Sequence, residues 1–139
     1  MSMRVEDVIK PWDAPARKTG AIVHDRVLPH LRDVLLRAYR NVDPSMTAVP
    51  DDVYELEARK FRHIAHGDFS PDYFALQAEL SRNIAATTDY ATYLVAYGAY
   101  CSNMVAALLR DSQKDDVETR TVLVESAISS VFADLTVTM

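Results

Sequence analysis

Between Tyr90 and Leu109 the chain runs YATYLVAYGAYCSNMVAALL without one charged side chain. Tyr90, Tyr93, Tyr97, Tyr100, Met104 and Leu108 recur there at steps of three and four, the spacing that puts side chains on one face of an α-helix. Leu94, Cys101, Val105 and Leu109 widen the stripe until most of the circumference is apolar, as in a helix packed on several sides. The pattern predicts a central helix. A membrane span has a similar length, about 20 residues. However, four tyrosines with Thr92, Ser102 and Asn103 along the segment favour a protein interior, because membrane tyrosines gather at the two interfaces.

Helical periodicity also governs the flanks. Residues Val5 to Pro11 predict a short helix, and Asp13 the cap of a second, with Pro15 in a first turn where the missing N–H costs nothing. Val23 or Val27, Leu31, Leu35, Ala38 and Tyr39 carry that helix to about Asn41, and Pro29 inside it is expected to kink or divide it. The run DPSMTAVP is a loop. Asp52 and Glu55 have the form of a capping box opening a helix through Val53, Leu56, Lys60, Phe61 and Ile64 to Gly67. Ser70-Pro71 opens the next, with Tyr73 or Phe74, Leu76 or Gln77, Leu80 and Ile84 on its apolar face. Thr88 or Asp89 caps the central helix. The last helix is expected to bury Val117, Thr121, Val124, Ile128, Val131 and Leu135, with Phe132 beside them. No stretch alternates with strand periodicity, so the reading is an all-α domain of about six to eight helices, the last two long.

Composition narrows the classes. With 139 residues, 49% of them hydrophobic, residues 1–139 suffice for one domain with a core at 13–139. A net charge of −5 without a basic stripe argues against nucleic acid. The start MSMRVEDVIK has neither a secretory nor a lipidation pattern, so a cytoplasmic protein without a membrane partner is expected. One cysteine, Cys101, fits a reducing compartment and the role of a small buried hydrophobe.

Little catalytic chemistry is visible. There is no nucleophile elbow, phosphate loop, zinc spacing or paired-carboxylate motif, and no enzyme is expected. His63 and His66 lie one turn apart, where they could clamp a metal or present a ligand, or simply complement the negative end of a helix dipole. His24 and His30 have the same balance. The tyrosine stripe could line a pocket or pack a core and a dimer. Arg59-Lys60 with Arg62, and Asp115-Asp116, read as solvated faces.

In order, Leu36-Arg37-Ala38-Tyr39, Gly67-Asp68-Phe69-Ser70-Pro71-Asp72-Tyr73, Tyr93-Leu94-Val95-Ala96-Tyr97 and Val131-Phe132-Ala133-Asp134-Leu135 resemble the globin domain of bacterial globin-coupled sensors, a protoglobin-like family. The second motif is similar to the family's glycine, x, phenylalanine, three residues, tyrosine signature. The third is similar to its tyrosine-rich start of the G helix. The resemblance covers most of the chain. It implies a globin-like fold with long G- and H-type helices, whose pocket would be lined by Tyr39, Phe61, Ile64, Leu80, Ile84, Tyr93, Tyr97, Val131 and Phe132. The family's proximal histidine falls where Ile84 stands here, or Asn83 if the register slips by one, and neither side chain can ligate haem iron.

The resemblance thus implies a haem-less or haem-degenerate sensory input domain of a bacterial signal transducer, foremost a soluble methyl-accepting chemotaxis protein. No cofactor is expected. It also implies a homodimer through the last two helices and a downstream signalling domain, with a cyclase or kinase as other outputs. The competing expectation is a haem-binding oxygen or diatomic-gas sensor that uses His63 or His66. A third is a pocket for another apolar molecule, such as a fatty acid or linear tetrapyrrole.

Overall fold

The computed structural model describes residues 4–85 and 88–138, with the side chains of 83–85 left aside. Every regular element among them is helical. One turn, α1 (Val5–Val8), precedes six longer helices: α2 (Ala14–Val27), α3 (Leu31–Tyr39), α4 (Asp51–Ala65), α5 (Pro71–Ala85), α6 (Tyr90–Arg110) and α7 (Val117–Thr138). The all-α expectation therefore holds.

Local chemistry accounts for the boundaries. The first helix stops at Val8 rather than Pro11, because Lys10 precedes a proline and is disfavoured in the helical conformation. Asp13 accepts from the Ala16 N–H at 3.0 Å and opens α2. Pro29 divides the next helix as expected: α2 ends at Val27, Leu28–His30 form a 3-10 turn, and α3 begins at Leu31. The predicted capping box at Asp52 does not form. The α4 helix starts two residues earlier, with Pro50 as its cap position and no side-chain cap, and Asp51 and Asp52 lie in its first turn where they favour the helix dipole. Asp89 caps α6 through the Thr92 N–H at 2.8 Å, and Asp116 opens α7 through the Thr119 N–H at 2.7 Å.

The end of α4 is fixed most tightly. Gly67 adopts φ +63°, the Asp68 N–H donates to the His63 carbonyl and the Gly67 N–H to that of Ile64, which together make a Schellman stop. Its carbonyl accepts from the Trp12 N–H at 2.9 Å, and a Cβ at Gly67 would lie 2.1 Å from the Trp12 ring.

In the assembled domain α6 packs on α3 and α7, while α2 packs on α4 and α7. Val23, Val27, Leu31, Leu35, Phe61, Ile64, Tyr73, Met104 and Leu108 are fully enclosed. Along α6 the inner face is Tyr97, Tyr100, Met104 and Leu108, as the stripe predicts, but Tyr90 at its start is 56% exposed.

The last helix is rotated from the expected orientation. Val117 is 70% and Ile128 38% exposed, Thr121 is exposed, and Val124 and Leu135 are half-buried; of the predicted stripe only Val131 is enclosed. The buried seam is Leu123, Ala127, Ser130, Val131 and Asp134. Small side chains let this face approach its neighbours closely, and the carboxylate of Asp134 is matched by a cation within the core. Both conditions outweigh the greater apolar area of the outward face. The α6 and α7 helices are each long and apolar enough to cross a membrane by length and composition.

Glycines at two positions make opposite demands. A Cβ at Gly20 would stand 1.9 Å from the Ala65 carbonyl oxygen, where α2 crosses α4, whereas a Cβ at Gly98 meets nothing within 4 Å. Gly20→Ala is expected to cost at least about 2 kcal/mol through overpacking against backbone. Gly98→Ala should be neutral or stabilise α6 by up to about 1 kcal/mol. Denaturant midpoints of the two variants in dilute solution check the pair.

Candidate functional site

The most distinctive chemistry lies in the core, between α3, α4, α5, α6 and α7. Lys60 on α4, 5% exposed, places its Nζ 3.1 Å from Oδ2 of Asp134 on α7, which is 0% exposed, and 3.4 Å from Oε2 of Glu57 one turn earlier. Two phenols complete the shell of Asp134: the Tyr73 hydroxyl donates to Oδ1 at 2.6 Å and the Tyr97 hydroxyl to Oδ2 at 2.7 Å. The Tyr39 hydroxyl donates to Glu57 Oε1 at 3.0 Å. The Lys60 ammonium also sits 5.5 Å and 5.4 Å from the ring centres of Tyr97 and Tyr100, within cation–π range.

Such a cluster is costly to build. An ion taken out of water loses several kcal/mol of hydration, and the loss is offset only where its partners surround it. Asp134 meets that condition with one cation and two short, charge-assisted O–H donors. Burial alone would lower the affinity of Lys60 for its proton, but the carboxylates of Asp134 and Glu57 outweigh it and hold the ammonium well above its ordinary range. Burial raises all four phenols of Tyr39, Tyr73, Tyr97 and Tyr100; the charge of Glu57 adds to this at Tyr39, and that of Asp134 at Tyr73 and Tyr97.

Beside this network is a cavity of about 50 Å³, walled by Leu35, Ala38, Tyr39, Glu57, Lys60, Gln77, Leu80, Tyr93, Ala96, Tyr97 and Tyr100. Of the residues expected to line a pocket, Tyr39, Leu80, Tyr93 and Tyr97 meet here. Phe61 and Ile64 do not. Both are fully enclosed in the core, Phe61 stacked on the His24 ring at 5.2 Å between centres. Val131 and Phe132 also miss the cavity and line an outer groove between α6 and α7, where Phe132 is 58% exposed, because α7 turns its seam of small residues inward instead. The side chains of Ile84 and Asn83 lie outside the described residues.

The histidines stand away from this cavity. His63 Nδ1 lies 3.1 Å from both the Asp68 carbonyl and its carboxylate, and His66 Nδ1 lies 2.8 Å from the Arg62 carbonyl. His66 and His24 have ring centres 5.0 Å apart. Burial, with a smaller effect from the neighbouring His66, lowers the His24 pKa. Among the described residues no three His, Cys, Asp or Glu side chains converge as metal ligands. Cys101 is half-buried, and burial raises its thiol.

Lys60 corrects the reading of Arg59-Lys60 as a solvated face. Its position in the apolar series Val53, Leu56, Lys60, Ile64 was the available signal, as was Asp134 between Val131 and Leu135. A cation in one apolar stripe and an anion in another are the sequence mark of a buried pair. Glu57 carries no comparable signal and joins the site only through three-dimensional contact, whereas Tyr73, Gln77 and Tyr100 fall on apolar stripes, which predicts their burial but not their place around the pair.

The buried pair has two measurable consequences. Asp134→Asn and Lys60→Met should each cost about 3 to 5 kcal/mol, since each strands a buried partner, while Lys60→Met with Asp134→Leu should cost much less than the sum. Equilibrium unfolding of the four proteins measures that coupling. The second concerns pH: phenols and an ammonium that hold their protons more tightly when folded give stability that is present below their unfolded values, 10.0 and 10.5, and lost as pH rises beyond them. Stability should therefore fall above about pH 10. The buried tyrosines should ionise together with unfolding, as tracked by tyrosinate absorbance alongside helical circular dichroism.

No protein-family model, no curated protein and no solved structure matches this chain, so its functional reading rests on the residues and geometry described above.

Proposed function

We propose that this chain is a globin-like sensory input domain that works without haem, in the cytoplasm of a bacterium and joined to a downstream signalling domain, foremost that of a soluble chemotaxis transducer. The observation that carries the haem-less part is the content of the core. Pockets for drug-sized ligands are typically about 300 to 1,000 Å³, whereas the cavity beside Tyr39 and Tyr97 is about 50 Å³ and a paired Lys60 and Asp134 lie beside it. A porphyrin does not fit there. His63 and His66 lie outside that wall, and His63 lines an open outer hollow together with the charged side chains of Arg59, Arg62, Asp68 and Asp72. The same volume disfavours a fatty acid or linear tetrapyrrole.

The outer faces of α6 and α7 support the dimer. Val95, Leu109, Val117, Ile128 and Phe132 are exposed, and Leu94, Gly98, Cys101 and Val105 continue the groove between the two helices. Apolar area of this kind on neighbouring long helices suits a second copy, which would form a two-fold four-helix bundle. In such an assembly Asp134 ties the dimer-forming helix to α4, α5 and α6. A change in the core then repacks α7 and passes along it to an output domain, by the small helix shifts that interfaces convert into two-state transitions.

Hemin added to the purified protein should give no stoichiometric Soret band, and light scattering should report a dimer that Phe132→Glu converts to monomer. A one-to-one band abolished by replacing His63 or His66 would contradict the haem-less reading. A monomer at high concentration would contradict the dimer.

A further inference from the structure

The fold does not by itself explain why the cavity in the core is left partly polar. Two atoms on its wall have no hydrogen-bond partner despite deep burial: the Gln77 carbonyl oxygen, on a residue 1% exposed, and the Tyr100 hydroxyl, on a residue 4% exposed. The orientation of the Gln77 amide is set by its neighbour. Tyr97 gives its only hydroxyl proton to Asp134, so it can only accept from Gln77, and the amide nitrogen must be the atom 3.3 Å from it. The carbonyl oxygen of Gln77 is thereby left needing a donor. Buried polar groups are nearly always paired, because an orphan forfeits its hydration without return.

Charge and size define the missing donor. Lys60 is shared between two buried carboxylates, Asp134 at 3.1 Å and Glu57 at 3.4 Å, so the three groups together carry one negative charge in excess, and Glu57, 3% exposed and on the cavity wall, has beyond Lys60 only the Tyr39 hydroxyl as a donor. An anion would be repelled. The volume, about 50 Å³, suits a species of water size, since a water occupies about 30 Å³ in the liquid. Aromatic faces on the same wall suit a cation.

We propose that this cavity is a binding site for ammonium or a methylamine-sized primary ammonium ion. Its N–H groups donate to the Gln77 carbonyl and the Tyr100 oxygen, and Glu57 balances its charge. The site is a property of the cavity and stands apart from whether the domain signals.

Thermal unfolding at neutral pH tests it, with ammonium chloride or methylammonium chloride set against tetramethylammonium chloride at equal ionic strength and against sodium formate. The first two should raise Tm saturably and the others should not. The rise should vanish in Gln77→Leu with Tyr100→Phe, which removes two unpartnered buried groups and leaves their shapes largely intact. Equal effects of ammonium and tetramethylammonium, an equal effect of formate, or a rise that persists in the double variant would overturn the proposal. Nitrogen-15 ammonium NMR on the unaltered protein reads the same site without a variant: slowly exchanging protons with cross-peaks to the Tyr100 ring are expected, and their absence at saturating ammonium would overturn it as well.

Discussion

The domain is organised by the need to neutralise one carboxylate that no water reaches. Asp134 sits at 0% exposure near the end of the last helix, and its partners come from three others: Lys60 from α4, Tyr73 from α5 and Tyr97 from α6. An α-helix advances about 5.4 Å per turn, so sliding α7 by one turn would carry the carboxylate beyond reach of all three. Apolar packing alone tolerates such slips far better, because one methyl group is much like another. The ion pair therefore sets the register of four helices with a specificity that hydrophobic burial lacks. Whether it also adds net stability depends on how fully its hydration is replaced.

That constraint shapes the surface as well as the core. To bring Asp134 inward, α7 turns Ala127 and Ser130 inward with it and leaves Ile128 and Phe132 on the outside. The apolar groove between α6 and α7 is thus the other side of the polar seam. Core and groove are also linked directly by Tyr97, which lines the cavity on one side and the groove on the other. A side chain shared in this way puts the interior and the outer groove in contact with the same residue.

The elements were legible because their signals are local. Pro29 divides a helix wherever it stands, Asp13 and Asp89 cap the helices that begin beside them, and Gly67 stops α4 through its positive φ. The stripe on α6 was legible too, since its apolar series ends in fully buried Met104 and Leu108. The rotation of α7 was not. Its apolar residues are spread around the circumference and interleaved with Ser, Thr and Glu, so periodicity offers several faces, and the choice among them is made by Lys60 some 70 positions away in sequence. Tyr39, Leu80, Tyr93 and Tyr97, which the resemblance assigns to a pocket, do meet at the cavity, and Tyr100 joins them from the same aromatic stripe, while Glu57 and Gln77 were not assigned there: aromatic stripes announce themselves, and polar partners are identified by what they touch. Val131 and Phe132, which the resemblance places in the pocket, line the outer groove instead: Val131 is buried within the α7 seam and Phe132 is left outside it.

The most direct measurement is NMR observation of the Lys60 ammonium. Enclosed between Asp134, Glu57 and two tyrosine rings, its protons should exchange with water slowly enough to give a resolved signal, with the group still charged when surface lysines begin to lose their protons. An ammonium that exchanges and titrates like a solvent-exposed lysine would contradict the account, because Asp134 would then lack the cation that offsets its burial.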